Sequence, residues 1–174
     1  MHIPALVEAL QDERCQLTVL LLNGNEIGDA GACMLFEKAL GHEHCKLTEL
    51  CLGSCGLTDH CIPALVEALQ DERCQLTVLI LNGNEIGDAG ACMLFEKALG
   101  HEHCKLTELC LGSCGLTDHC IPALVEALQD ERCGLTDLLL YFNKFTEDGE
   151  RSLRNAKTYQ TCKDTGLRIR LPSY

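Results

Sequence analysis

An internal repeat constrains the fold of this chain more than any other feature of its sequence. Residues 3–61 and 62–120 align without a gap over 59 positions and differ only where Leu21 stands opposite Ile80. A third, partial copy begins at Ile121. Self-similarity at a fixed period is typical of solenoids, in which each unit packs on its neighbours. Recent duplication and engineered concatenation would both produce such a copy.

Each 59-residue block contains two halves that share the pattern Cys-x-Leu-Thr-x-Leu-x-Leu. The pattern recurs at alternating intervals of 30 and 29 residues, and its first residues are Cys15, Cys45, Cys74, Cys104 and Cys133. Within its first occurrence, Leu20 and Leu22 flank a single residue. This is strand periodicity, with Leu20 and Leu22 on one face and Val19 and Leu21 on the other. We therefore predict one short strand for each occurrence.

A turn and then a helix are predicted after each strand. Three residues beyond the last leucine comes Asn25 in one half and Cys55 in the other, each beside a glycine, where the side chain can sit beneath the bending backbone. One helix has its apolar residues at i, i+3, i+4 and i+7, with Asp59 as a candidate cap. These residues are Ile62, Leu65, Val66 and Leu69. The other helix repeats Ala32, Phe36 and Leu40 and stops at Gly41.

Two strings carry a resemblance to a known family. They are Leu52-Gly-Ser-Cys-Gly-Leu-Thr-Asp59 and Leu22-Asn-Gly-Asn-Glu-Ile-Gly-Asp-Ala-Gly31. With the 30- and 29-residue alternation, they resemble leucine-rich repeats of the ribonuclease-inhibitor-like class, which includes ribonuclease inhibitor and the repeat regions of NOD-like receptors. The resemblance covers about residues 3–150. It implies an α/β solenoid, a short right-handed horseshoe arc with parallel strands on its concave side and helices on its convex side.

The chain is predicted to contain two parts. Residues 1–143 hold about five repeats, and residues 144–174 form a capping helix and strand. The cap contains a polar stretch from Glu147 to about Tyr159 and an alternating segment, residues 167–171. The first part carries 7 basic and 22 acidic residues, and the second carries 7 and 4. The basic end either attracts the acidic body of a second molecule or is a solvated cap.

Charge and hydropathy exclude several classes of partner. The net charge of −12 repels a phosphate backbone, so we expect no nucleic acid and favour a basic protein partner. No apolar run approaches the ~18 residues that span a bilayer, and the N-terminus lacks a signal-peptide pattern. We therefore expect no membrane partner. No Gly-x-x-x-x-Gly-Lys-Ser/Thr loop is present to bind nucleotide phosphates, and no cofactor is predicted.

The 14 cysteines are predicted to be free. In-register parallel strands hold Cβ atoms ~4.8 Å apart, beyond the ~3.8 Å of a relaxed disulfide. Free buried cysteine behaves as a small apolar residue and is typical of a reducing compartment. We therefore predict a cytoplasmic protein. Twelve of the cysteines are six positions present in both blocks, and only Cys162 falls outside the repeat pattern.

Two sets of residues invite a chemical interpretation that the sequence does not favour. His42, His44 and Cys45, with their copies His101, His103 and Cys104, are ligand types at close spacing. A structural zinc site needs four convergent ligands, whereas these histidines lie in a loop and the cysteines point inward. His60 precedes Cys61, and His119 precedes Cys120, but neighbours on a helix point ~100° apart. We predict no metal and no catalysis.

The concave face is the remaining candidate for function. Apolar and acidic residues alternate from strand to strand on its outward positions, and such patches mark protein interfaces. Tyr141 and Phe142 are the expected anchors, although Phe142 could instead turn under the loop. Alternatively, the β-branched residues merely favour strands. The predicted binding residues are Val19, Leu21, Asn23, Glu49, Val78, Ile80, Asn82, Glu108, Asp137, Leu139, Tyr141 and Phe142.

The N-terminal helix suggests a second function. Its apolar residues Ile3, Leu6, Val7 and Leu10 match those of the next copy, and no polar cap precedes them. Two hypotheses follow. The chain is a non-enzymatic protein-binding module that uses its concave face, or it is an assembly unit that forms homo-oligomers through its uncapped first repeat or its apolar stripes.

Overall fold

The computed structural model describes residues 2–159 and 167–171, in which short strands alternate with helices. The helices are α1 (Ile3–Gln11), α2 (Gly28–Leu35), α3 (Ile62–Gln70), α4 (Gly87–Leu94), α5 (Ile121–Gln129) and α6 (Glu147–Tyr159). The strands are β1 (Val19–Leu21), β2 (Glu49–Cys51), β3 (Val78–Ile80), β4 (Glu108–Cys110), β5 (Asp137–Leu139) and β6 (Arg168–Arg170). Cys162 lies outside the described residues.

The strands form one parallel sheet in the order β1-β2-β3-β4-β5-β6. Its register places the leucine at the middle of each repeat strand opposite the same leucine of the next repeat. This row is Leu20, Leu50, Leu79, Leu109 and Leu138. From Leu50 onward the row is fully buried against the helices. The predicted α/β solenoid of parallel strands backed by helices is confirmed.

The turns after the strands are closed by the side chains that the sequence indicates. Asn84 Oδ1 accepts hydrogen bonds from the backbone N–H groups of Cys55 and Leu57, at 3.0 Å each. Its amide nitrogen donates to the carbonyl groups of two leucines. The thiol of Cys55 donates to the carbonyl of Leu22 at 3.1 Å. Asparagine and cysteine thus bind the backbone of neighbouring repeats together at successive turns.

The helices differ in two details from the predicted ones. Thr58, rather than Asp59, caps the helical segment, because its hydroxyl accepts from the backbone N–H of His60. Asp59 and Cys61 belong to a single 3₁₀ turn that precedes α3. In the other half-repeat, α2 widens into a π-helical turn over Phe36–Leu40. The stop at Gly41 is confirmed.

The open surface of the first repeat includes residues of α1 and a leucine just before β1. Ile3, Val7 and Leu10 are buried, and Leu6 is half-buried. The exposed side chain is Leu17, at 46% of its surface. Its four equivalents are 1% exposed, and they are Leu47, Leu76, Leu106 and Leu135. Ala5, Leu6 and Ala9 are also more exposed than their buried equivalents on α3, so the uncovered apolar surface lies along α1 as well as beside β1.

All thirteen cysteines in the described residues are free. Burial raises the pKa of the Cys74 and Cys114 thiols to about 11. Because the thiolate is the reactive form, these groups are poor nucleophiles near neutral pH. The cysteines that begin the repeats lie side by side, since Cys45 and Cys104 both act electrostatically on Cys74.

At the other end, α6 packs against α5 and β6 pairs with β5. These elements match the predicted helix and strand of the cap. The division into repeats over residues 1–143 and a cap over residues 144–174 stays a prediction, since part of that cap lies outside the described residues. No helix in the described part of the chain is both long enough and apolar enough to cross a membrane.

Candidate functional site

Eleven of the twelve predicted binding residues lie in rows on the side of the sheet opposite the buried leucines, and the twelfth, Phe142, follows Tyr141 in the loop after β5. The register of the sheet aligns the eleven residues in rows that run across the strands. The charged row is Val19, Glu49, Val78, Glu108, Asp137 and Arg168. The apolar row is Leu21, Cys51, Ile80, Cys110, Leu139 and Arg170. The loop row is Asn23, Gly53, Asn82, Gly112 and Tyr141. We call these rows together with Phe142 the strand face.

Exposure on the strand face depends on the position of the strand. On β1, which has a neighbour on one side only, Val19 and Leu21 are 45% and 63% exposed. Val78 and Ile80 on β3 are half-buried, because strands flank them on both sides. Cys51 is buried between larger neighbours in the same row. The apolar row is therefore a nearly continuous surface of alternating large and small side chains.

The carboxylates of the charged row are not equivalent. Arg168 donates two hydrogen bonds to Asp137, at 2.8 and 3.0 Å. These bonds hold the pKa of Asp137 below its ordinary value. Glu49 and Glu108 are half-buried and form no ion pair with any residue that the structure describes. Sequence reasoning missed Arg168 and Arg170, although the alternation of residues 167–171 already indicated a strand that would extend the rows.

Tyr141 is fixed in place by its neighbouring strand. Its ring lies over Gly112, where an added Cβ would clash with the ring. The Tyr141 hydroxyl and the Cys110 thiol form a hydrogen bond at 3.4 Å. This hydrogen bond, together with burial, raises the pKa of Tyr141 to about 12. The phenol is therefore neutral at physiological pH and presents a rigid, half-buried aromatic surface.

Phe142 projects from the same loop and is 77% exposed, so it does not turn under the loop. Its φ angle is +56°, in the left-handed region that bulky residues rarely adopt. The equivalent positions are Gly24, Ser54, Gly83 and Ser113. A large apolar side chain thus occupies a strained position without gaining burial. The Phe142 and Tyr141 rings meet edge to face, with centroids 5.5 Å apart.

Between Cys133 and Asn143, the third copy differs from the preceding block mainly on the strand face, whereas most positions differ after Asn143. Its core residues Leu138 and Leu140 and its turn residue Asn143 match those of the preceding block. The outward positions change instead: Val78, Ile80, Asn82 and Gly83 are replaced in the third copy by Asp137, Leu139, Tyr141 and Phe142. The single difference between the two full blocks, at Leu21 and Ile80, also falls on this face.

The histidine-rich loops do not assemble a ligand set. Among residues 2–159 and 167–171, no three His, Cys, Asp or Glu side chains converge as they do around a metal ion. The His42 and His44 rings are 5.3 Å apart at their centroids. Nδ1 of His44 lies 3.0 Å from the carbonyl of Gln11, and Cys45 is buried. These loop histidines thus contact the adjacent backbone.

The paired His60 and Cys61 also lack the geometry of a nucleophile and its base. The Cys61 thiol donates to the carbonyl of Thr58, and burial raises its pKa to about 12. His60 points instead to the Thr58 hydroxyl, 2.9 Å away. Cys120 and His119 repeat this arrangement.

Comparison with known proteins agrees with the fold. A family model described as Leucine Rich repeat matches residues 15–36 and 74–95. The solved tropomodulin C-terminal domain of Caenorhabditis elegans superposes with a TM-score of 0.67, covering 92% of this chain and 94% of that one at 13% identity. The chain is a leucine-rich repeat protein of the ribonuclease-inhibitor-like class. A second solved structure, Leiomodin-1 Actin-Binding Site 2, covers 99% of this chain and 80% of its own, with a TM-score of 0.59 and 15% identity.

Relatives of known sequence come from one group. NACHT, LRR and PYD domains-containing protein 3 of Bos taurus is 39% identical over 153 residues, 88% of this chain and 14% of that protein. NACHT, LRR and PYD domains-containing protein 12 of Homo sapiens is 38% identical over 84% of this chain and 14% of its own length. The chain thus spans about a seventh of the length of these relatives. It is homologous to their leucine-rich repeats, which are protein-interaction modules and typically not catalytic.

Proposed function

We propose that these leucine-rich repeats bind a protein through the strand face. The observation that carries the proposal is the aromatic pair at its end. Tyr141 is fixed over Gly112, and Phe142 is held exposed at a positive φ angle. A strained backbone conformation at an exposed residue is typical of functional sites, and rigid aromatic side chains contribute much of the binding energy at interfaces. The strand of the third copy supports the same face, because its inward leucines are retained while its outward positions are altered.

The proposed partner is a basic protein. The chain carries a net charge of −12, and Glu49 and Glu108 lie on the strand face without an ion pair to any of the described residues. Complementary charge steers association and selects among partners. A nucleic acid or a membrane surface does not fit this charge, and binding requires neither a cofactor nor a metal. Free thiols suit the reducing cytoplasm, where we place the interaction.

A pair of double variants tests the strand face. Val78→Arg with Ile80→Arg adds two charges and two large side chains to its centre. Ala30→Arg with Ala89→Arg adds the same charge at exposed positions on α2 and α4. Proteins captured from a cell extract by the unmodified chain, and identified by mass spectrometry, should be lost on the first variant and kept by the second. If the first variant, with its melting curve preserved, retains them, the strand face is not the binding surface.

The exposure of Leu17 and Leu21 favours a second candidate, self-assembly through the open side of β1. Leu17 is 46% exposed, although its equivalents in the other repeats are buried. A second copy covering this surface would remove it from water. Light scattering over a concentration series should then detect a dimer that Leu17→Glu abolishes and Ala30→Glu retains. A monomer at high micromolar concentration would eliminate this candidate.

A further inference from the structure

The two carboxylates of the charged row that form no ion pair with a described residue have a fixed spacing. Glu49 is on β2 and Glu108 is on β4, and Val78 of β3 lies between them. Parallel strands are ~4.8 Å apart, so the two side chains arise ~9.6 Å apart. Asp137, the next carboxylate of the row, is already bound by Arg168. The row therefore offers two acidic positions that are separated by one apolar position.

The apolar row runs beside these carboxylates over the same strands. It lies two residues further along each strand, which is ~6.7 Å. Ile80 and Leu139 supply its large side chains, and Cys110 fills the gap between them. A ligand lying across the strands therefore meets an acidic stripe and an apolar stripe side by side. That pattern complements an amphipathic segment with adjacent basic and apolar stripes.

The dimensions of the strand face match those of an α-helix. Each of its strands has three residues, so the face is ~10 Å wide along the strands, the diameter of one helix. Two helical turns advance ~10.8 Å, close to the ~9.6 Å between Glu49 and Glu108. Basic side chains at i and i+7 would meet the two carboxylates. Residues three or four positions from each would meet Val78 and Ile80.

We infer that the strand face takes an amphipathic basic helix of its partner, laid across the strands, with positive side chains two turns apart over Glu49 and Glu108. This inference rests on the proposed function and specifies the element that is recognised. A polyproline II segment, with basic residues at every third position ~9.3 Å apart, matches the charge spacing too. It is a narrower rod that presents less apolar surface to the neighbouring row. The apolar row favours the helix.

Three synthetic peptides of about four helical turns test this register. The first carries lysines at i and i+7 beside a leucine stripe. The second has the same composition but places its lysines on the side opposite the leucines. The third is proline-rich, with lysine at every third position. Fluorescence anisotropy at low salt should show the first peptide binding about tenfold more tightly than either of the others. Equal binding by the second peptide, or tighter binding by the third, would overturn the inference.

Charge-neutral variants link the peptide to the two carboxylates. Glu49→Gln with Glu108→Gln should weaken binding of the first peptide by about 3- to 10-fold, since each exposed ion pair contributes a few-fold to the affinity. Glu67→Gln with Glu126→Gln removes the same charge from exposed positions on α3 and α5 and should leave binding unchanged. An equal loss in both variants would mean that only the net charge attracts the peptide, and the register would be wrong.

The same peptide separates failure of the inference from failure of the proposed function. If Val78→Arg with Ile80→Arg abolishes binding while Glu49→Gln with Glu108→Gln has no effect, the strand face binds but the charged row does not select the ligand. If Val78→Arg with Ile80→Arg binds the peptide as well as the unmodified chain does, the strand face itself is wrong as the binding surface.

Discussion

The repeats allow one residue to be tested in two environments with the same local sequence. Leu17 and Leu76 lie in identical strings from residue 3 to residue 20 and from residue 62 to residue 79. Replacement by alanine therefore changes local propensity and the unfolded chain in nearly the same way at both positions. The two sites differ in their neighbours, because Leu76 is 1% exposed and Leu17 is 46% exposed. Any difference between the variants measures burial between repeats.

The burial values set the expected magnitudes. Leu76→Ala removes a fully packed side chain and leaves a cavity, so it should lower the free energy of unfolding by ~2–5 kcal/mol. Leu17→Ala removes a side chain that is about half in water and opens no closed cavity. Its effect should be about 1 kcal/mol, roughly half the value of burying a leucine. For a chain of this size the melting temperature should fall by ~5–20 °C and by ~2–4 °C respectively.

Thermal and urea unfolding, followed by circular dichroism at matched concentrations, measures both values. Equal losses at the two positions, in a sample shown to be monomeric, would refute the argument that coverage by the preceding repeat determines the energetics. A Leu17→Ala loss that grows with protein concentration would instead show that a second copy covers β1, as the self-assembly candidate requires.

Three further predictions follow from individual side chains. Phe142→Gly should raise the free energy of unfolding by up to ~1 kcal/mol, because glycine adopts the positive φ angle without strain. The same variant should weaken partner binding. A lower free energy of unfolding in urea would show that the Phe142 backbone is not strained. Hydrogen bonds from Arg73 and Arg132 lower the pKa of Asp71 and Asp130 to about 2. The stability that these two carboxylates contribute should therefore be present above pH ~4 and lost as the pH falls towards 2. Asp71→Asn with Asp130→Asn should flatten acid unfolding over that range, and an unchanged slope would argue against it. Cys61, with its pKa of about 12, should resist iodoacetamide at pH 8 in the native protein and react after denaturation, as mass spectrometry would report.

The repeat period and the turn chemistry could be predicted because they depend on local sequence. The strand positions of the leucines, the turn roles of Asn84 and Cys55, and the extent of α6 all follow from spacing and residue type. Thr58 could not be assigned as the cap from spacing, because Asp59 is an equally good capping residue. The cap depends on which of the two reaches the backbone N–H of His60.

The functional details depend on contacts between repeats, which one repeat does not encode. Gly112 contacts the Tyr141 ring only because the two residues lie side by side in the loops after β4 and β5, 29 residues apart in the chain. Asp137 loses its availability to a basic ligand only because β6 brings Arg168 next to it. Both arrangements require the register of the sheet.

The exposure of Leu21 on the first strand and the exposure of Phe142 after β5 therefore have different causes. Leu21 is exposed because β1 has a single neighbour, and its near-identical counterpart Ile80 is half-buried in an almost unchanged sequence. That exposure shows where a neighbour is lacking and does not by itself indicate recognition. Phe142 lies in the loop after β5, at a position that is exposed in every repeat, and its φ angle is one that its counterparts fill with glycine or serine. Among the five repeats only the last places a large apolar side chain at this exposed position, so the aromatic end of the strand face is the stronger evidence for binding.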